Sequence, residues 1–318
     1  MSNRKEAVIL LNMGGPNNLN EVEMFLKNMF ADKNILTMKS DAIRKMVAGM
    51  IVFNRTESSQ EIYRQLGGKS PIVAHTKNLV AKLQEKLGEN VVVDFVMRYT
   101  PPFAAEVIEK LQDKNVDKIY LIPLYPQYST TTTKSSLEDF EEAYHAVQGN
   151  ALLVEKKHFF ENESYNKAIL QRIKEKIGSD DYRDFDMIFS AHGLPQKIVD
   201  AGDSYEKHIN RHVTILKQMM KDENMNFHDT HLAYQSKVGP LAWLKPSLEE
   251  KLKVVRNRGV IVFPIAFTID NSETDFELSV EYKEIAEKLG FKEYRVCACP
   301  NDSELFVDAL YEIYEKMK

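Results

Sequence analysis

In FDMIFSAHGLP, residues 185–195, an apolar run of strand length leads straight into a histidine and stops at Gly-Leu-Pro. A short run without polar alternation, closed by a Gly/Pro turn, is the pattern of a strand buried on both faces. Such strands belong to parallel sheets, whose crossovers are usually helices, so helical segments should flank it. Amphipathic patterns at residues 165–177 and 204–220 supply them.

Seven further runs have a similar form: AVILLNM, NVVVDFVM, DKIYLIPLY, ALLVEKK, HLAYQS, GVIVFPIAF and EYRVCA. Amphipathic stretches at 73–87, 103–112 and 273–289 separate others of them. The alternation predicts the α/β class, laid out as two consecutive doubly wound parallel-sheet domains with a joint near AVQGNALLVEKK.

Composition narrows the function. The 318 residues are 43% hydrophobic and 28% charged, ordinary for a globular protein. With 42 Lys and Arg against 47 Asp and Glu, the net charge is −5, and no basic cluster stands out, so no nucleic-acid partner is expected. Cys297 and Cys299 are too close for a comfortable disulfide and too few for a four-cysteine metal site, which fits a reducing, cytoplasmic compartment. The opening MSNRKEAVILLNMGGP reads as a first strand, not a signal peptide. The longest apolar stretch, MVAGMIVF at 46–53, is too short for a transmembrane segment. It predicts either a core helix or an apolar lip over a pocket or on a membrane surface, so a peripheral membrane contact stays open.

In open α/β sheets ligands bind beyond the carboxyl ends of the strands. That rule selects the loops NMGGP, MRYTPP, PLYPQYSTTTT, FSAHGLP, YQSKVGP and PIAFTIDNSETDFE. NMGGP lacks the G-x-G-x-x-G spacing of dinucleotide sites. Just after the third loop, where a helix is expected to start, Ser135 and Glu138 have the spacing of a capping box. His192, at a strand end, suits proton transfer or metal ligation, though a backbone-bonded core histidine fits the same position. Glu273, Glu277 and Glu281 stand at i, i+4 and i+8 of an expected helix, with Asp270 just before. Like charges so spaced destabilise a helix by roughly 0.2–0.5 kcal/mol per pair. A solvated face with Lys283 and Lys288 accounts for them, and so does a divalent-metal and proton-transfer pair with His192. Trp243 serves either packing or a flat aromatic ligand.

Taken in order, LLNMGGP, YRQLGGKSPI, MRYTPP, YPQYSTTTTKSS, FSAHGLP, YQSKVGP and PIAFTIDNSETDFEL resemble the motifs of ferrochelatases, enzymes that insert ferrous iron into protoporphyrin to finish haem. NDSELFVDAL carries the resemblance into the tail. The resemblance implies two similar Rossmann-like domains, 1–149 with porphyrin-lip helices and 150–300 with the metal-site residues, and a porphyrin cleft between them. It also implies that a helix at 301–318 packs back on the first domain. His192 and Glu273 match the family's catalytic metal-site pair, and Met13, Arg55, Tyr63, Ser70 and Trp243 match its porphyrin contacts. Asp270, Glu277 and Glu281 match the acidic row that conducts metal or protons.

Three positions qualify the match. Asn271 stands where the family often has histidine. Thr130 replaces the loop cysteine of members with an iron–sulfur cluster, and the chain stops at Lys318 without a carboxy-terminal cysteine cluster, so no cluster and no cofactor beyond the substrate iron is expected. Met13, where a coproporphyrin-metallating branch tends to have tyrosine, points to protoporphyrin IX. The competing readings are a coproporphyrin ferrochelatase, a cobalt chelatase on another tetrapyrrole, and a non-catalytic haem or porphyrin carrier.

Overall fold

The computed structural model of the chain describes residues 5–38, 40–237, 239, 241–255 and 259–318. The first half runs β1 (Lys5–Asn12), α1 (Glu21–Ala31), α2 (Asp41–Gln65), α3 (Ile72–Leu87), β2 (Val91–Met97), α4 (Ala104–Gln112), β3 (Val116–Pro123), a π-helical turn (Thr130–Lys134), α5 (Ser135–Ala146) and β4 (Leu152–Glu155). The second runs α6 (Glu163–Ile177), β5 (Phe185–His192), α7 (Gln196–Asp200), α8 (Tyr205–Asp222), β6 (Thr230–Gln235), α9 (Leu248–Val254), β7 (Gly259–Pro264), a π-helix (Glu273–Glu281), α10 (Tyr282–Lys288), β8 (Tyr294–Val296) and α11 (Glu304–Met317). Each of the eight runs read as strands forms one.

The strands make two parallel sheets, ordered β2-β1-β3-β4 and β6-β5-β7-β8. In each, the chain moves outward from the first strand to one edge, then returns across it to the other side. Crossovers therefore leave on opposite faces between β1 and β3 and between β5 and β7, opening a crevice at those carboxyl ends.

Residues 7–11 of β1 are almost completely buried, as a doubly covered strand requires. Ala7, Ile9 and Leu11 pack against Val107, Ile108 and Leu111 of α4 and Leu137 and Phe140 of α5. In the second sheet Ile188, Val260 and Val262 pack with Leu248 and Leu252 of α9 and Leu278. Full burial of such a side chain stabilises by about 1.5–3 kcal/mol, so these two cores carry the sheets.

The chain divides into a first unit, up to His158 together with Leu310–Lys318, and a second, Phe159–Ala309. A joint at 149/150 would cut β4 from its sheet, whereas Lys118–Leu121 of β3 pair with Leu152–Glu155 and hold it in the first unit. The end of α11 also belongs to that unit: Tyr314 sets its ring edge-on to Tyr120 at 5.0 Å and donates its hydroxyl to Glu6.

Two local expectations are corrected. Ser135 and Glu138 form no capping box. Ser135 instead accepts from Arg98 Nε at 3.0 Å and donates to Asp32, and Ser129 caps the preceding turn by accepting from the Thr131 N–H. The helix expected over 273–289 is a π-helix up to Glu281 and an α-helix only from Tyr282. On α2, Ala48 and Val52 face the core, while Ile43, Met46, Met50 and Phe53 are 51%, 61%, 52% and 86% exposed. The apolar stretch is thus half core and half surface. No described helix is long and apolar enough to cross a membrane.

Candidate active site

His192 ends β5, and Glu273 opens the π-helix that follows β7. These strands are neighbours, with Ser190 opposite Pro264, so both loops rise from the crevice of the second sheet. His192 Nδ1 lies 2.6 Å from Glu273 Oε2. Because an ionised carboxylate only accepts, the imidazole gives Nδ1–H to it and leaves Nε2 for a ligand. Side-chain exposures of 36% and 22% keep the pair within reach of one.

Apolar groups frame the imidazole. Phe267 stands edge-on to His192 at 6.4 Å. Trp243 packs against Gly193, the next residue, where a Cβ would lie 2.8 Å from the Gln235 carbonyl and 3.3 Å from the indole. An antiparallel bridge between Pro195 and Trp243 holds the two loops together.

A further residue joins the carboxylates. Ser236, just after β6, donates its N–H to Glu277 Oε1 at 2.8 Å. Its hydroxyl lies 3.1 Å from Glu273 Oε2 and 2.5 Å from Glu277 Oε2. Gln235 Nε2 reaches the same Glu277 oxygen at 3.3 Å, and Gln235 Oε1 accepts from the buried Ser190 hydroxyl at 2.7 Å. A continuous polar chain therefore runs from the imidazole to the sheet.

The chain sets the charges. Burial disfavours the imidazolium, but the Glu273 carboxylate, helped by Glu277, outweighs it and raises His192 above its ordinary value. Burial disfavours the ionised Glu273 too, yet His192 and the Ser236 hydroxyl hold its carboxyl below the usual range. Glu277 is pushed up to about 7, first by burial and then by the charge of Glu273. One hydroxyl has one proton to give. Ser236 can satisfy both contacts when Glu277 is protonated and donates back to it.

Asp270 stands apart from this chain. It is buried, its Oδ1 accepts from the Cys299 N–H at 3.1 Å, and its Oδ2 accepts from Asn301 Nδ2 at 2.6 Å. It ties the loop before Glu273 to the segment leading into α11. Asn271 is also buried, and its Oδ1 accepts the Glu273 N–H at 2.8 Å, so it caps the turn that presents the carboxylate. Glu281 is exposed at the far end of the π-helix. Cys297 and Cys299 are buried free thiols. Among the described residues, no group of three or more His, Cys, Asp or Glu is placed to hold a metal ion.

The first unit gathers other predicted residues. Met13 and Tyr63 share one apolar cluster with Val22, Phe25, Leu26, Val52 and Tyr99. Gly14 has φ +85°, and a Cβ there would lie 2.4 Å from Thr100 Oγ1, which accepts the Gly15 N–H at 3.1 Å. Only glycine lets the NMGGP turn close on that threonine. Ser70 is buried against Gly15 and donates its N–H to the Pro16 carbonyl at 2.8 Å. Arg55 is half-buried on α2. Ser190, Gln235, Ser236 and Phe267 were not singled out from sequence; the signal for two of them was the polar pair Gln-Ser at the start of an already suspect loop.

The comparisons by sequence agree on one family. The ferrochelatase family model matches residues 5–318. The chain is 67% identical over 315 residues to the ferrochelatase of Sulfurimonas denitrificans, covering 99% of this chain and 100% of that one. Against the ferrochelatase of Nitratiruptor sp. the identity is 51%, with 98% and 100% covered, and against that of Wolinella succinogenes 47%, with 97% and 98% covered. Among solved structures, SirB from Bacillus subtilis with Fe3+ superposes with a TM-score of 0.58 at 12% identity, covering 98% of this chain and 96% of SirB. CbiX superposes at 0.52, also at 12% identity, with 99% and 100% covered. At that identity the structures speak to the fold alone, whereas the family match and the three relatives are decisive for descent: the chain belongs to the ferrochelatase family.

Proposed function

We propose that this chain inserts ferrous iron into protoporphyrin IX, yielding protohaem and two protons. The observation that carries the reading is the imidazole–carboxylate pair, Nδ1 to Oε2 2.6 Å, at the crevice of the second sheet. Metal insertion exchanges two inner N–H protons of the macrocycle for one divalent cation, so the site must accept protons and release a cation at the same place. His192 Nε2 takes a pyrrole proton, and the carboxylate on Nδ1 makes that nitrogen a stronger base. Glu273 shares the cation or hands it over, with Glu277 next to it and Glu281 at the exposed end of the same row.

Bending the ring to expose its nitrogen lone pairs is the use of binding energy that speeds insertion. Met13 and Trp243, each only partly buried, offer apolar and aromatic surface for it, and the buried Tyr63 backs Met13 within its cluster. Arg55 suits a propionate through charge-assisted hydrogen bonds. Ser70 acts on the NMGGP turn through its buried contact with Gly15. The exposed stripe Ile43, Met46, Met50 and Phe53 on α2 fits a peripheral contact with the cytoplasmic membrane face, from which an apolar porphyrin would arrive.

An anaerobic spectrophotometric assay with ferrous iron tests the reading. Protoporphyrin should be converted in preference to coproporphyrin, and His192→Ala and Glu273→Ala should each lower turnover by about 100-fold or more, the range of a lost general base. Near-normal turnover in either variant removes that residue from the mechanism. Tight porphyrin binding without conversion would make the protein a carrier.

A further inference from the structure

Ser236 has a backbone φ of +63°. A residue other than glycine, asparagine or aspartate rarely takes this left-handed conformation, and serine gains no special stability there. Glycine would adopt the same turn at lower cost. What serine adds is its hydroxyl, within 3.1 Å of Glu273 Oε2 and 2.5 Å of Glu277 Oε2. The turn also aims the Ser236 N–H at Glu277 Oε1, 2.8 Å away. Behind it, Gln235 is buried and fixed by Ser190, so the turn grows from a rigid strand end.

We propose that Ser236 is a positioning residue for metal insertion: its hydroxyl joins the Glu273 and Glu277 carboxylates into one unit and holds Glu277 as the neighbour through which Glu273 is served. The inference rests on the assignment of His192 and Glu273 to the reaction. Without the bridge, the two side chains are free to move apart, and Glu273 loses its second contact besides His192. Ser236 itself touches neither reacting nitrogen nor cation in this scheme. It acts through the two glutamates it bridges.

The test uses the full chain and steady-state insertion of ferrous iron, with each substrate varied at saturation of the other. Ser236→Ala removes the hydroxyl and keeps the strained backbone. Ser236→Gly removes the hydroxyl and takes the left-handed turn without strain, so it separates the hydroxyl from the backbone. Both should lower kcat by about tenfold or more, the size of a hydrogen bond to a charged group, with the porphyrin KM within about twofold of wild type. In a Glu277→Ala background, Ser236→Ala should then lower kcat by a smaller factor than in the wild type, because only the contact with Glu273 is left to lose.

Several outcomes overturn the proposal. Wild-type kcat in both single variants shows that the hydroxyl is dispensable. A loss in the alanine variant that the glycine variant restores assigns the effect to the backbone. A rise in porphyrin KM at unchanged kcat makes Ser236 a substrate contact. Effects of Ser236→Ala and Glu277→Ala that multiply make the two residues independent. His192→Ala and Glu273→Ala run in parallel: if those two turn over normally, the underlying assignment fails, whatever Ser236 does.

Discussion

Glu277 is a residue whose charge its surroundings resist. Burial and the Glu273 carboxylate lift it from an ordinary 4.5 to about 7, so the folded protein keeps a proton that the unfolded chain releases. The stability this adds is full below the unfolded value and is lost as pH rises through about 7. Thermal midpoints of wild type should therefore fall between about pH 5 and about pH 8 more steeply than those of Glu277→Gln, which cannot ionise. Parallel curves would show that another group titrates. At this scale the sequence was informative about His192, because a histidine after a buried run has only the strand end to occupy. It was silent about Ser236, whose partners lie 37 and 41 residues away and whose φ no local pattern announces.

Among the elements, the contact of α6 with α8 hides a second titratable group. His212 is fully buried and gives Nε2–H to Asn166 Oδ1 at 2.7 Å, while Asn166 Nδ2 is held by the Phe160 carbonyl. Burial drives His212 down to about 3, so it stays neutral while an unfolded histidine charges near 6.5. Its contribution is complete above 6.5 and declines as pH falls toward about 3. Urea midpoints should thus drop with acid less steeply in His212→Gln, which keeps an amide donor for Asn166. The loop between β7 and the π-helix makes a different demand. Replacing Asp270 by alanine leaves the Cys299 N–H and the Asn301 amide without their acceptor and should destabilise by about 1–3 kcal/mol, whereas Glu281→Ala, on the exposed face, should stay within about 0.5 kcal/mol. Chemical denaturation of the two variants separates a fastening role from a place in an acidic row. The glutamate spacing announced a shared face but not this division of labour, because burial of Asp270 depends on where residues 299–301 return.

On the scale of the whole chain, each unit repeats one plan: four parallel strands in the same order, with π-helical geometry after the third strand, at Thr130–Lys134 and at Glu273–Glu281. The same two topological positions hold a methionine turn and a hydroxyl-rich loop in the first unit, and a histidine turn and an acidic helix in the second. The first unit also carries the exposed apolar stripe of α2. Serine at Met46, Met50 and Phe53 together should weaken co-sedimentation with anionic lipid vesicles by about tenfold or more while leaving the circular dichroism spectrum unchanged, since each side chain forfeits several buried methylenes. Equal sedimentation of both proteins would remove the membrane from the reading of that face.

The sequence by itself determined the eight strands, the α/β class, the loops at which chemistry could occur and, through the ordered motifs, the family. All of these rest on local hydrophobic period and on residue type. Only the tertiary structure decided that β4 belongs to the first sheet, that the acidic helix begins with π geometry, that Asp270 is a fastener, and that a serine in a left-handed turn couples two glutamates to His192. Apart from the π geometry, those facts depend on hydrogen bonds between segments tens of residues apart, and the free energy of such bonds exists only once the sheets have brought the segments together.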